Sequence, residues 1–183
     1  AMRDRIRILR GETAALCVFT ILLIVTALSK MGMYISYYGL TRLRVYTSWF
    51  MILLLFLFII VLLHQFKGFN GTRIAAVGSI ILFMALCYGN VDGMIAKYNI
   101  DRYEAGTLKS LDLNALAGLS DAAIPHLYEF YQQTDDPAIK DDLRRVIKEG
   151  LFQRGNMFGE IYKADFRDIN LQSYRANRIR EMI

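Results

Sequence analysis

Acidic side chains are nearly missing from the first half of this 183-residue chain: Asp4 and Glu12 are the only two before residue 91. A stretch that lacks acids yet keeps long apolar runs is not built like the mixed-charge surface of a water-soluble domain. The same 90 residues carry nine Lys/Arg, a net charge of +7. Residues 91–183 carry thirteen Lys/Arg against fifteen acids, a net charge of −2. The overall +5 and the pI near 9.2 therefore belong to the apolar half. They suit juxtamembrane basic residues facing anionic lipid headgroups, and they give no reason to expect nucleic acid as a partner.

Cysteine, proline and histidine each occur only twice. Cys17 and Cys87 both fall inside apolar runs, where each is expected as an unpaired packing residue and not as half of a disulfide. The prolines, Pro125 and Pro137, both fall in the second half and leave the apolar half free of proline. Two histidines leave little for a metal. His126 and Glu129 stand three apart, which puts two ligands on one helical face, but no third ligand is near in sequence and no metal is expected. His64 closes an apolar run, the place for an amphipathic interface residue. No glycine-rich phosphate loop follows a strand, no nucleophile elbow occurs, and no serine stands beside a plausible base. The sequon Asn70-Gly71-Thr72 has meaning only in a eukaryotic secretory protein. No catalytic residue and no cofactor is expected.

What is present is apolar length: 55% of the chain is hydrophobic and its mean hydropathy is +0.29. A hydrocarbon core of about 30 Å needs roughly 20 apolar residues in a helix. Three runs qualify, at about 14–35, 45–63 and 74–88. The second, VYTSWFMILLLFLFIIVLL, has no charge, glycine or proline. The third is shorter, and Gly78-Ser79 at its middle would let a neighbouring helix approach closely. Lys30, near the end of the first run, can snorkel to the headgroups. The basic start (Arg3, Arg5, Arg7, Arg10) and Ala27-Leu28-Ser29 imitate a signal peptide weakly, but the helical pattern continues into Met31, Met33 and Tyr34, so cleavage is not expected. The opening Ala1-Met2 reads as a fragment of a longer protein or a cloning scar.

Tyr34, Tyr37, Tyr38, Tyr46 and Trp49 surround the first connection, Gly39-Leu40-Thr41-Arg42-Leu43-Arg44. Aromatics with basic anchors mark a membrane–water interface, and Gly39 suits the left-handed geometry that ends a helix. The second connection, His64 to Arg73, is also short. The expected fold is all-α: a three-helix transmembrane up-down-up bundle over residues 1–90, followed by a soluble helical tail over 91–183. Counting basic residues on the two sides leaves orientation open. Three spans put the tail opposite the N-terminus, on the same side as the first connection.

In the tail, Met94, Ile95, Tyr98 and Tyr103 are expected on the inner face of one short helix. Leu111–Leu119 should form another. A third should run from Asp121 to about Gln133, capped by Ser120, with Pro125 tolerated in its first turn and Ile124, Leu127, Tyr128 and Tyr131 on one face. Asp136-Pro137 starts a fourth, striped with Ile139, Leu143, Val146, Ile147 and Phe152. The third and fourth look like one hairpin of a helical repeat, which cannot bury its own core. Asn170 should cap a last helix carrying Leu171, Tyr174 and Met182 on one side, expected to dock on the tail.

Several stretches occur in an order that resembles the C-terminal part of domain-of-unknown-function family 4173, with similarity to the neighbouring family 4153. They are YISYYGLTRLRVYTSWFM (34–51), NVDGMIAKYNIDR (90–102), LSDAAIPHL (119–127) and ADFRDINLQSYRA (164–176). The motifs are an aromatic-Gly-Leu-Thr-x-x-Arg turn, an Asn-x-x-x-x-Ile-Ala-x-Tyr-Asn signature and an Asp-aromatic-Arg-x-x-Asn segment. In the last, Phe166 stands where tryptophan is usual. The resemblance implies a bacterial multi-pass protein of the inner (plasma) membrane with further spans ahead of this region, and it implies no activity.

The one polar constellation worth following joins Arg42 and Arg44 to Asp92, Tyr98, Asn99, Asp101, Asp165, Arg167 and Asn170. Its expected role is to dock the tail at the membrane turn. Two function classes follow. One is a non-enzymatic scaffold, sensor or regulatory module whose partners are the lipid bilayer and a protein bound through the tail. The other is the end of a transporter or membrane enzyme whose working site lies in spans upstream, since these spans carry no mid-membrane charge.

Overall fold

The computed structural model describes residues 2–149 and 171–183, and every regular element among them is helical. The chain divides into two compact units. One holds Ala1–Tyr37 and Leu43–Gly89; the other holds Tyr38–Arg42 and Asn90–Ile183.

The first unit contains α1 (Met2–Tyr38), α2 (Arg42–Phe66) and α3 (Gly71–Tyr88). All three are long and apolar enough to cross a membrane. At 1.5 Å per residue they measure about 55, 37 and 27 Å. Each helix contains its apolar run. α1 and α2 outrun theirs because the flanking polar residues also favour helix. Lipid offers backbone groups no partner, so the helix must satisfy its own. Hydroxyls follow the same rule: Thr13, Thr20, Thr26 and Ser29 donate to carbonyls one turn back at 2.8–2.9 Å.

The short connection after Phe66 makes α2 and α3 an antiparallel hairpin, and its register is visible at three levels. His64 lies against Gly71, Phe56 against Gly78, and Trp49 beside Leu82, whose carbonyl accepts from the Trp49 indole N–H at 3.1 Å. Gly78 makes room for the Phe56 ring: a Cβ there would lie 2.2 Å from Phe56 Cζ, so the ring or the helix would have to shift. Residues 14–22 of α1 run beside the end of α2, with Val18 and Leu22 facing Leu62 and Phe66 across a shallow apolar groove. Cys17 and Cys87 are free thiols. Large side chains such as Leu16, Phe19, Ile80 and Ile81 are more than 60% exposed within this chain. Water would not tolerate so large an apolar surface; lipid does.

The second unit is built on α4 (Val91–Glu104), α5 (Leu113–Ala117), a 3-10 turn (Asp121–Ala123), α6 (Ile124–Gln133), α7 (Pro137–Glu149) and α8 (Leu171–Met182). Pro125 explains the break before α6: it has no N–H to return to the Asp121 carbonyl. The turn closes instead through Ile124 N–H to that same oxygen. α6 and α7 pack as a hairpin whose core is completed by α4, α5 and α8. Leu116, Leu127, Leu143, Ile147 and Ala176 are buried there.

Two inner faces differ from those expected. On α4, Ile95 is buried and Tyr103 packs on the core as expected, but Met94 is exposed, and Ala96 and Ile100 complete the face. On α8, Tyr174 and Met182 are exposed, and the packed face is Ala176, Ile179 and Ile183. In both helices a small residue, Ala96 or Ala176, lets the backbone come close to the core. A pattern judged on large apolar residues overlooks it. Phe130, buried on α6, was likewise outside the expected face and meets Tyr103 edge-on. Phe152 lies outside the described residues.

Candidate functional site

The polar centre of the second unit is where the connection Tyr38–Arg42 meets the start of α4. It begins with Gly39, whose φ of +76° is left-handed. The position also has no room for a side chain: a Cβ would stand 2.6 Å from Asn99 Oδ1. That close approach lets Asn99 act as a backbone surrogate. Its Oδ1 accepts from Leu40 N–H at 2.6 Å, and its Nδ2 donates to Leu40 O at 2.8 Å. Among the described residues of the unit, Asn99 is the buried polar residue, at 6% exposure. The paired bonds offset the desolvation of the amide and satisfy both polar groups of Leu40.

Arg42 follows as the first residue of α2, a helix whose first turn holds no acid. A cation at a helix N-terminus opposes the dipole. Asp92, in the first turn of α4, compensates. Arg42 Nε donates to Asp92 Oδ1 at 2.7 Å, and Nη2 donates to Oδ2 in the planar two-point geometry of Arg–carboxylate pairs. Oδ2 also accepts from the backbone N–H of Ser120 at 2.9 Å. Ser120 stands at the N-terminus of the 3-10 turn as expected, yet its side chain does not cap that turn; its backbone N–H serves Asp92. Burial pushes the Asp92 carboxyl up, but hydrogen bonding from Arg42 and Ser120 and the guanidinium charge together hold it below the ordinary carboxylate value.

The ends of α4 keep this geometry in place. Asn90 Oδ1 accepts from Gly93 N–H at 3.1 Å, capping the N-terminus. At the other end Gly106, with φ +66°, reverses the chain, and the N–H groups of Thr107 and Leu108 both reach Arg102 O. Arg102 donates to Tyr98 OH and Thr107 Oγ1, each at 3.1 Å.

Of the residues expected to form the constellation, Arg42, Asp92 and Asn99 come together through these bonds. Tyr98 is engaged by Arg102, one helical turn on. Asp101 is exposed and outside the assembly. Arg44 lies in the first turn of α2 and falls in the other unit. Asp165, Arg167 and Asn170 lie outside the described residues. Two participants had no signal in the sequence. Ser120 sits 28 positions from Asp92, and no spacing rule links them. Arg180 likewise gave no hint that it pairs with Asp121, its Nη2 2.7 Å from Asp121 Oδ1, while its Nε donates to Ile147 O at 3.0 Å.

Chemically, the assembly is a clasp. Asp92 is an ionised carboxylate with both oxygens engaged, and Asn99 spends both ends of its amide on Leu40. Such groups hold a connection against a helix; they are not poised to take up or release a proton near neutrality. Among the described residues, no group of three His, Cys, Asp or Glu side chains gathers in a metal-binding arrangement.

The model of a family described as a domain of unknown function, DUF4153, matches residues 2–130, and the chain belongs to that family. It is the family that the motifs placed as the neighbour of 4173. The matched stretch includes Gly39, Arg42, Asp92, Asn99 and Ser120, and it ends within α6. No curated protein and no solved structure matches the chain. Three apolar helices and this family membership describe an integral membrane protein.

Proposed function

We propose that this DUF4153 member is a non-enzymatic module of the bacterial inner membrane, a scaffold, sensor or regulatory subunit whose helical tail binds a protein partner. The observation that carries the reading is the Arg42–Asp92 clasp. The connection between the first two apolar helices is held by half-buried, charge-assisted hydrogen bonds within the tail unit, and the residues in that assembly are committed to structure. A body held this firmly at a membrane connection suits presentation of a surface to a partner. The chain is then a stator, and its working surface is on the tail.

The test is affinity capture with the full chain in bilayer nanodiscs as bait. An isolated tail from Asn90 onward is unsuitable, because it would lack Leu40 and Arg42. A specific protein recovered by the native chain, and recovered less well by the Arg42→Glu variant, is the expected result. No specific partner, together with solute flux through vesicles holding the complete gene product, would replace this reading with that of a transporter terminus.

A further inference from the structure

The 3-10 turn Asp121–Ala123 is gripped from both directions at one point. Ser120, immediately before it, gives its backbone N–H to Asp92, which in turn holds Arg42. Asp121, the next residue, gives its carboxylate to Arg180 of α8, an ion pair whose side chains are only 20% and 12% exposed. Arg180 is fixed further by Ile147 O at 3.0 Å and by Asn177 Oδ1 at 2.8 Å. The turn itself does not yield easily, since Ala122 and Ala123 are both buried. α8 contributes Ala176 to the core against α6 and contacts the same turn.

We infer that the 3-10 turn is a relay, so that seating of α8 through Arg180–Asp121 and closure of the Arg42–Asp92 clasp at the membrane connection are positively coupled. The physical basis is adjacency. Ser120 N–H can face Asp92 only while the turn holds its place, and Asp121 is one of the bonds that keep it there. Residues sharing one network and one backbone segment are the case in which free energies fail to add. Coupling of this kind is reciprocal: whatever lifting α8 does to the clasp, opening the clasp does to α8 by the same factor. The connection between the first two apolar helices would then respond to events at α8. The inference rests on the two ion pairs and not on the identity of any partner.

The test is hydrogen exchange of the full chain in nanodiscs, read by mass spectrometry on three regions: the connection 38–42, the α8 segment 172–182 and the α6–α7 core. Arg180→Gln is expected to speed exchange at the connection by about fivefold or more. Arg42→Gln is expected to speed exchange in α8 by a similar factor, with the core unchanged in both. Should Arg180→Gln also loosen the core, Asp121→Asn removes the same ion pair with almost no change of shape and takes its place. Faster exchange confined to α8 in the Arg180 or Asp121 variant, with the connection at its native rate, would overturn the relay. So would two single-variant effects that simply add in the double variant.

Discussion

Gly39 is constrained twice, by a left-handed backbone and by Asn99 packed where a Cβ would go. Gly39→Ala should therefore cost more than the roughly 1–2 kcal/mol of a left-handed residue alone. It should appear as faster exchange of the Leu40 amide, which Asn99 protects. Asp92 gives a prediction with a definite sign. Its folded pKa lies below the unfolded one, so the native state binds fewer protons between the two values. The stability it contributes is complete above the ordinary carboxylate pKa. It is lost as pH falls from there through the depressed value. Melting of the tail unit in nanodiscs, followed from about pH 7 to about pH 3, should show this loss, and Asp92→Asn should remove that part of the profile. At neutral pH the same variant should cost about 1 kcal/mol, because the half-buried Arg42 and Ser120 donors lose a charged acceptor while water still reaches the guanidinium. Half of this site was legible in the sequence. Arg42, Asp92 and Asn99 stood out as polar residues beside apolar runs on the same topological side. Ser120 and Arg180 did not, since their bonds span 28 and 59 positions and follow from tertiary packing alone.

Elements were easier to read than faces. Helix existence follows from local pattern, and the three long apolar runs leave no alternative in lipid. The break at Pro125 and the inward turn of Ala96 and Ala176 depend on what packs opposite, which periodicity judged on large residues does not see. Gly78 is an instructive contrast. A small residue at mid-span pointed to close helix approach, and Phe56 is what approaches. Gly78→Ala should push α2 and α3 apart, because the added methyl group would meet the Phe56 ring. Trp49 reports on it directly. It is the chain's one tryptophan, and its indole N–H is bonded to Leu82 O across the same hairpin. Its emission should shift and broaden in Gly78→Ala, and the native spectrum should return when Phe56→Leu is added. An unchanged spectrum in the single variant would mean that the hairpin absorbs the methyl group without moving.

At the level of the whole molecule, the division between the two units does not follow the chain. A cut at residue 90 separates the apolar half from the polar half by composition, with +7 on one side and −2 on the other. The compact units divide differently, and Tyr38–Arg42 belongs with the tail. The reason is energetic. Leu40 pairs with both ends of the Asn99 amide, and Arg42 pairs with both oxygens of Asp92, which would otherwise keep only Ser120; bonds of this kind contribute about 1 kcal/mol each. It follows that the tail is not an independent appendage. A fragment of residues 90–183 should retain helical circular dichroism, since the α6–α7 core does not involve the connection. It should also melt earlier and with less cooperativity than the tail unit of the full chain, and the loss should concentrate in α4. Exchange measured on both forms distinguishes the outcomes. Equal protection of α4 in fragment and full chain would mean that the connection merely rests on the tail. Selective loss in α4 would mean that the fold of the polar half is completed by five residues from between the first two apolar helices.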